Sequence, residues 1–197
     1  LPRGEAEVAG ARVSVSGREV PGDWAERWRR FHRPVLVGGR VLVRPPWEPP
    51  AAESGVLDVA IDPGAAFGTG AHPTTRLALE LLLELSQRGS LCDVGCGSGV
   101  LAIAAAKLGF GPVSAVDNDP EAVAAARENA RANGVRLHEV ARVDLRRDAL
   151  PAADVLVANL TRPVLLTLAG RLARPPRALV ASGLLEAEAD EVVGAFA

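Results

Sequence analysis

A run of glycines between a predicted strand and a predicted helix constrains this chain more than any other feature. Residues 91–99 read Leu-Cys-Asp-Val-Gly-Cys-Gly-Ser-Gly, with apolar runs on both sides. Gly95, Gly97 and Gly99 let the backbone turn sharply and approach a ligand where a Cβ atom would collide. Asp117 follows Gly95 by 22 residues, at the end of the next predicted strand, where a carboxylate can accept both ribose hydroxyls. Loop and acid together predict a nucleoside-binding site.

The chain beyond residue 55 alternates between strand and helix patterns. Strands are predicted over 56–61, 90–94, 112–117, 137–143, 153–159 and 178–181, and helices over 73–85, 99–108, 120–133, 163–172 and 185–196. Strands separated by helices indicate βαβ units with right-handed crossovers. We therefore expect an α/β fold: a doubly wound, Rossmann-like, mostly parallel sheet with helices on both faces. Its ligand is expected at the carboxyl ends of the strands.

The first part of the chain predicts a smaller segment before this domain. Residues 11–15 alternate as one edge strand does, and residues 23–32 place three aromatic side chains on one face of a helix. Residues 35–43 indicate a hairpin that turns at two glycines, and four prolines then stiffen the chain. We expect residues 1–54 to be an amino-terminal remnant and linker, and residues 55–197 to be the ligand-binding domain.

Composition excludes several classes of protein. Apolar residues make up 48% of the 197 residues and charged residues 23%, which is typical of globular proteins. A net charge of −2 does not favour direct nucleic-acid binding. No apolar run approaches the about 18 residues of a membrane span and no signal peptide is evident, so a soluble cytoplasmic protein is expected. Cys92 and Cys96 have no second pair and predict neither a disulfide framework nor a metal site. The absence of any methionine indicates a trimmed chain or a fragment.

Two cofactor classes fit the glycine loop. Residues 97–102 also satisfy the GxGxx[GA] dinucleotide pattern, which leaves an NAD-dependent oxidoreductase open. Such an enzyme would lack a Tyr–Lys pair here, because the chain has no tyrosine and its only lysine is Lys107. Asp93 lies just before the glycines, where a carboxylate suits a ligand with an ammonium group better than a pyrophosphate. Together with Asp117, the alternate glycines resemble motif I of class I S-adenosylmethionine-dependent methyltransferases.

A more specific resemblance lies in residues 62–75. They read Asp-Pro-Gly-Ala-Ala-Phe-Gly-Thr-Gly-Ala-His-Pro-Thr-Thr, which resembles the signature loop of the ribosomal protein L11 methyltransferase family. The similarity runs from about residue 23 to the end and includes Trp24, Trp28, Phe31, Pro34, Gly38, Trp47, residues 157–160 and residues 182–185. The resemblance implies S-adenosylmethionine as cofactor, S-adenosylhomocysteine as its product, and methylation of lysine and α-amino groups of a protein substrate, ribosomal protein L11.

The resemblance also implies roles for single residues. Positions that match the family's cofactor contacts are Thr75, Gly95, Asp117 and Asn159, with a lid at Phe67, Gly68 and Gly70 and with Asp144 near the adenine edge. The motif-I loop adds Asp93, Gly97 and Gly99 to the expected cofactor site. The amide of Asn159 can both donate and accept, so we expect it to orient the incoming amine. His72 is a candidate base, but a lone histidine before a proline is more often structural.

The chain departs from the family at both ends. About 22 residues precede Trp24, fewer than the family's substrate-recognition domain needs. The chain stops at Ala197, before the hairpin that completes the family's sheet, and Arg162 adds a charge near the expected rim of the site. Two alternatives therefore stay open: a non-catalytic or truncated cofactor-binding module, and a methyltransferase that acts on another protein or on a small molecule.

Overall fold

A computed structural model describes residues 4–15, 32–63 and 72–197 of the chain. The chain divides into two compact units, Leu1–Phe31 and His32–Ala197. In the first, β1 (Gly4–Val8) and β2 (Ala11–Val15) form an antiparallel hairpin. Only β2 was predicted; β1 alternates as well, but its glycine, alanine and glutamates are residues that strands disfavour. The helix expected at 23–32 lies outside the described residues except for its last position.

A five-stranded parallel sheet forms the centre of the second unit. Its strands are β6 (Leu91–Val94), β7 (Val113–Asp117), β8 (Glu139–Arg142), β9 (Val155–Asn159) and β10 (Ala178–Ser182). They lie in the order β10-β9-β6-β7-β8, and every neighbouring pair is parallel. The strand order reverses between β6 and β9, and ligands of such sheets bind at this switch point. The predicted doubly wound fold is confirmed.

Helices cover both faces of this sheet. They are α1 (Pro73–Glu84), α2 (Val100–Lys107), α3 (Pro120–Ala132), α4 (Arg162–Ala169) and α5 (Ala189–Ala195). In β9, Val155 and Val157 pack with α1, α2 and α3, whereas Leu156 and Ala158 pack with α4 and α5. Burial on both faces explains why the central strands β6, β7 and β9 are mostly apolar, whereas the edge strand β8 is partly exposed. None of the helices in the described residues is long and apolar enough to cross a membrane.

The single helix predicted over residues 185–196 is wrong in one respect. The chain first forms a 3-10 turn over Glu186–Glu188 and only then begins α5. The backbone N–H of Leu185 donates to the Glu188 carboxylate at 3.0 Å. A local side-chain bond of this kind satisfies the backbone without an α-helical turn.

A second, three-stranded sheet precedes α1. The strands β3 (Val35–Val37), β4 (Val41–Arg44) and β5 (Leu57–Ala60) lie in the order β3-β4-β5, and β4 and β5 are parallel. The predicted hairpin over 35–43 is confirmed. The strand expected at 56–61 pairs with β4 and not with the main sheet. Inward-facing valines of all three strands join the core around α1 and α2, so the sheet and the domain share one interior.

A charged cluster fixes the proline-rich connection between β4 and β5. Arg44 donates from Nε and Nη2 to the two carboxylate oxygens of Asp58, at 2.7 and 2.8 Å, and from Nη1 to the Glu48 carbonyl at 2.9 Å. Burial raises the pKa of Asp58, but the Arg44 hydrogen bond and charge outweigh it and bring the pKa below its ordinary value. Lys107 donates from Nζ to the Asp58 carbonyl. The cluster therefore joins β4, β5 and α2.

Candidate cofactor site

The glycine loop lies between β6 and α2 in a conformation that requires glycine. Gly95, Gly97 and Gly99 have φ angles of 75°, 51° and 81°, which L side chains rarely adopt. A Cβ atom on Gly95 would collide with the Leu160 side chain, and one on Gly99 would lie 3.0 Å from the Ala126 Cβ atom. The backbone conformation therefore requires glycine at all three positions, and close packing against Leu160 and Ala126 adds to this at Gly95 and Gly99.

Asp117 fixes this loop from the end of β7. Its carboxylate accepts hydrogen bonds from the backbone N–H of Gly97 at 2.9 Å and from that of Asp119 at 3.0 Å. The two bonds go to different oxygens, so the orientation of the carboxylate is set by the backbone. Further lone pairs of both oxygens can still accept bonds from a ligand. The structure thus places Asp117 at the end of β7 and against the glycine loop.

Asp93 lies beneath the loop and is 0% exposed. One carboxylate oxygen accepts from the backbone N–H of Ala102 in α2 at 3.0 Å, and the other has no hydrogen-bond partner among the described residues. Burial raises the pKa of Asp93 to about 7; the Ala102 hydrogen bond opposes this rise and the charge of Asp117 adds to it. Asp93 does not line the cavity described next. Its unpartnered oxygen is a buried acceptor close to the glycine loop.

A cavity of about 310 Å³ opens at the carboxyl ends of the central strands. Apolar side chains dominate its walls, with polar groups at a few positions, as is usual for small-molecule sites. The walls are formed by Val94, Gly95, Val116, Asp117, Asn118, Val143, Asp144, Leu145, Arg146, Leu160, Val164 and Thr167. The cavity therefore lies at the switch point of the sheet, where the fold predicts a ligand.

Asp144 lines this cavity at a position after β8. Its carboxylate accepts from Arg146 Nε at 3.0 Å and from Arg146 Nη2 at 3.1 Å. The Arg146 hydrogen bonds hold the pKa of Asp144 below its ordinary value. The side chain is thus an oriented acceptor on the cavity wall opposite the end of β9.

Asn159 and Thr75 meet although 84 positions separate them in the sequence. Asn159, at the end of β9, donates from Nδ2 to the hydroxyl of the buried Thr75 at 3.2 Å. Ser182, at the end of β10, donates to the carbonyl of Thr74 at 2.8 Å. The first turn of α1 is therefore tied to the carboxyl ends of both strands. Phe67, Gly68 and Gly70, which the sequence assigned to a lid, lie outside the described residues.

His72 occupies the start of α1. Its Nδ1 accepts from the backbone N–H of Thr74 at 3.4 Å and lies 2.8 Å from the Thr74 hydroxyl. Pro73 follows at the first helical position, where its missing N–H costs nothing. The ring is an N-cap, which is the structural role that the sequence favoured over catalysis.

Arg162, expected as an added charge at the rim of the site, is paired with two acidic side chains. Its Nη1 donates to Glu191 at 2.6 Å, and its Nε lies 3.5 Å from a carboxylate oxygen of Glu188. Both acids follow β10 in the sequence, in the 3-10 turn and in α5. The pairs join the start of α4 to that segment and balance the positive charge locally.

Two asparagines, one in α3 and one directly after it, have structural roles that the sequence did not predict. Asn129 is buried and donates from Nδ2 to the Ser98 carbonyl at 2.9 Å, while its Oδ1 accepts from the Asp62 N–H at 3.1 Å. Asn133, one turn later, accepts from the Ala60 N–H at 2.9 Å and donates to the Ala60 carbonyl at 2.6 Å. The signal was present: an amide interrupts the alanine-rich stripe that α3 turns toward the core.

Comparisons with known proteins agree on one family. A family model described as ribosomal protein L11 methyltransferase matches residues 6–197. A curated ribosomal protein L11 methyltransferase from Heliobacterium modesticaldum is 46% identical over 179 residues, which cover 88% of this chain and 57% of that protein. One from Geobacter metallireducens is 41% identical and aligns over 98% of this chain and 64% of its own length. The chain thus spans less than two thirds of each of these relatives.

Solved structures show the same likeness. The crystal structure of ribosomal protein L11 methylase from Lactobacillus delbrueckii subsp. bulgaricus has a TM-score of 0.75 and 31% sequence identity, over 83% of this chain and 86% of that one. A tRNA (uracil-54, C5)-methyltransferase from Pyrococcus abyssi, solved with S-adenosyl-L-homocysteine, has a TM-score of 0.56 at 24% identity, over 68% of this chain and 34% of that one. The second is a likeness of fold alone. Among the residues that the structure describes, no three His, Cys, Asp or Glu side chains form a group that could hold a metal ion.

Proposed function

The chain belongs to the ribosomal protein L11 methyltransferase family, as residues 62–75 predicted, and we propose that it transfers methyl groups from S-adenosylmethionine to amino groups of ribosomal protein L11. The observation that carries this proposal is the cavity at the switch point of the sheet. Asp117 is oriented on one side of it, and Asn159 directly precedes its Leu160 wall on the other. The proposed reaction is cytoplasmic and needs neither nucleic acid nor a membrane.

The residues around the cavity fit this cofactor. Gly95 lines the cavity without a side chain, so a ligand can approach its backbone, and the free lone pairs of Asp117 suit the two ribose hydroxyls. Asp144 and the backbone beside it would face the adenine. The buried, unpartnered oxygen of Asp93 is an acceptor near the loop, which suits the ammonium group of the methionine part. S-adenosylhomocysteine, which lacks the sulfonium charge, would leave as the product.

Bound S-adenosylmethionine supplies a methyl group on positively charged sulfur, which is already activated for transfer. The protein then has to place a neutral amine in line with the methyl–sulfur bond, and orientation of this kind supplies roughly 7–11 kcal/mol. Thr75 holds the Asn159 amide nitrogen, which turns the amide oxygen into an oriented acceptor for an N–H of that amine. The carbon–nitrogen bond forms as the carbon–sulfur bond breaks.

The amine must lose a proton before transfer. A lysine ammonium has an ordinary pKa of about 10.4, and it is not nucleophilic while protonated. The apolar side chains of Leu160 and Val164 line the cavity, and desolvation against them would lower the pKa of an entering lysine. His72 caps the start of α1, so it is not assigned as the base. The proton of the amine is proposed to pass to solvent.

Intact-mass measurement of ribosomal protein L11 tests this proposal. The purified chain is incubated with ribosomal protein L11 and S-adenosylmethionine, and whole methyl increments on the substrate are expected. Asn159→Ala should reduce the rate while cofactor affinity, measured by calorimetry, changes less. Cofactor binding without any increment would favour the alternative of a non-catalytic module. Increments on other proteins of a lysate, and none on ribosomal protein L11, would favour a different protein substrate.

A further inference from the structure

Asn129 connects three parts of the chain that surround the glycine loop. It projects from α3, which belongs to neither the loop nor the strand that precedes it. Its amide nitrogen donates to the Ser98 carbonyl at 2.9 Å, and its amide oxygen accepts from the Asp62 N–H at 3.1 Å. The residue is 5% exposed, so both bonds are shielded from water. Loss of either one would leave a buried polar group unpaired.

The bond to Ser98 fixes the part of the loop that Asp117 does not reach. Asp117 holds the Gly97 N–H at 2.9 Å, while Asn129 holds the carbonyl of the next residue. The following N–H, that of Gly99, donates back to the Cys96 carbonyl at 2.8 Å. Two peptide groups of the loop, Cys96–Gly97 and Ser98–Gly99, are therefore each held by two hydrogen bonds, and Asp117 and Asn129 each provide one of them. Rotation of the peptide between Ser98 and Gly99 would break the bonds on both of its sides.

We propose that Asn129 is a positioning residue for the cofactor site: it locks the glycine loop and ties it to the backbone of Asp62. This inference rests on the proposed function, because it concerns the affinity of the same cavity for S-adenosylmethionine. The side-chain hydrogen bonds of Asn129 go to Ser98 and Asp62, and neither of these residues lines the cavity. It acts through Ser98, and hence through the shape of the loop between Gly95 and Gly99.

Asn133 provides a matched control directly after the same helix. It is also an amide with backbone partners, but those partners are the N–H and carbonyl of Ala60 in β5 and the carbonyl of Asn129. None of these bonds reaches the glycine loop. A change at Asn133 should therefore loosen the attachment of β5 and lower stability without altering the loop.

The test compares Asn129→Asp with Asn133→Asp. Each change removes the amide donor and keeps an acceptor, so the two variants should both unfold at a lower temperature than wild type. We expect Asn129→Asp to raise the Kd for S-adenosylhomocysteine about tenfold, and Asn133→Asp to leave it within about twofold. In turnover, Asn129→Asp should raise the KM for S-adenosylmethionine and leave kcat nearly unchanged. Such a split is not the result of lost stability alone.

Equal Kd values for the two variants would overturn the inference and leave the proposed function intact. A wild-type chain that binds no S-adenosylhomocysteine would overturn both. If Asn129→Asp does not fold, the side-chain amide signals of ¹⁵N-labelled wild type decide the question. Addition of S-adenosylhomocysteine should shift the Asn129 signals and leave those of Asn133 in place. An unshifted Asn129 signal in a saturated sample would contradict the assigned role.

Discussion

Asp93 and Asp117 approach the glycine loop from neighbouring strands, and their surroundings differ. Asp117 is partly exposed, and both of its carboxylate oxygens accept backbone hydrogen bonds. Asp93 is enclosed, has one hydrogen bond and carries a raised pKa of about 7. Two carboxyls of the same sequence motif are therefore suited to different tasks, one to binding at the surface of the loop and one to support beneath it.

Replacement of Asp117 by asparagine should weaken cofactor binding. The amide nitrogen that this change introduces cannot accept from a backbone N–H, so either the bond to Gly97 or that to Asp119 is lost, together with acceptors for ribose hydroxyls. We expect Asp117→Asn to raise the Kd for S-adenosylmethionine at least about tenfold, since a charged hydrogen bond contributes about 1.5–3 kcal/mol. Calorimetry measures the change.

Asp154→Asn is the control for that experiment. Asp154 accepts from the Ser90 N–H at 2.9 Å and from the Ser90 hydroxyl at 2.7 Å, directly before β6 and β9 begin. It is thus at the opposite end of the strands from the cavity. The control should lose some stability and retain the wild-type Kd. A wild-type Kd in Asp117→Asn would rule out the ribose role of Asp117.

The raised pKa of Asp93 predicts a pH-dependent stability. The folded-state pKa of about 7 exceeds the ordinary value of 3.8, so the folded chain binds this proton more tightly than the unfolded chain does. The contribution of Asp93 is therefore most favourable below about pH 4 and is lost as the pH rises toward 7. Asp93→Asn removes the ionised form and should unfold at a higher temperature than wild type at pH 8, by about 2–4 °C per kcal/mol relieved.

Thermal unfolding of both proteins at pH 8 and pH 5 measures this effect. The advantage of Asp93→Asn should shrink at pH 5, where the wild-type carboxyl is largely protonated. Other groups titrate equally in both proteins, so the difference isolates Asp93. An advantage of equal size at both pH values would show that the carboxyl is not neutralised in the folded state.

At the scale of elements, the contact between the end of β9 and the turn after β10 shapes the cavity. Gly183 has a φ of 89°, and a Cβ atom there would lie 2.5 Å from the Leu160 carbonyl oxygen. Gly109, after α2, has a φ of 90° and no described atom within 4 Å of such a Cβ. Both glycines have a left-handed backbone, but only Gly183 lacks room for a Cβ atom. Gly109→Ala is therefore the control for Gly183→Ala.

We expect Gly109→Ala to cost about 1–2 kcal/mol from the left-handed backbone alone. Gly183→Ala should cost about 1–3 kcal/mol more, because Leu160 must move to relieve the overlap. That movement would also withdraw Leu160 from Gly95 and weaken cofactor binding. Urea unfolding gives both stabilities. If both variants lost the same free energy of unfolding, the turn after β10 would accommodate the Cβ atom without a movement of Leu160.

The Arg44–Asp58 pair should stabilise the small sheet in a pH-dependent way. The pKa of Asp58 lies below its ordinary value, so its contribution is present above about pH 4 and is lost as the pH falls through the folded-state pKa. Asp58→Asn should cost about 1 kcal/mol at pH 7, a modest amount because the carboxylate is partly exposed. The cost should decrease as the pH is lowered through the folded-state pKa of Asp58, when unfolding is followed in acid. A cost that persists there would assign it to packing.

Local sequence patterns predicted most of the strands and helices, but not how all of them pair. Burial on both faces makes β6, β7 and β9 mostly apolar, so they could be predicted from local composition. The partner of β5 could not be predicted in this way. Its pairing with β4 is accompanied by contacts of Asp58 with Arg44 and Lys107, which are distant in the sequence. The role of Asn129 and the ion pairs of Arg162 were likewise not predicted. Their partners lie 31 and 29 positions away and follow from the packing of helices, which no local period records.

At the scale of the whole molecule, the interior belongs to the second compact unit. Every described hydrophobic residue that is fully buried lies between Val37 and Val192. The cavity and the glycine loop lie in that range as well. A chain that begins at residue 32 should therefore unfold cooperatively and bind S-adenosylmethionine within about twofold of the full chain. Calorimetry and thermal unfolding of both chains check this; a large loss of affinity would assign residues 1–31 to the site.

Lys107 determines whether the proposed enzyme could methylate its own side chains. It is the only lysine of the chain, and its ammonium group is committed to the Asp58 carbonyl between β5 and α2. Under the proposed function, a chain whose one lysine is hydrogen-bonded between β5 and α2 offers almost no lysine side chain of its own for methylation.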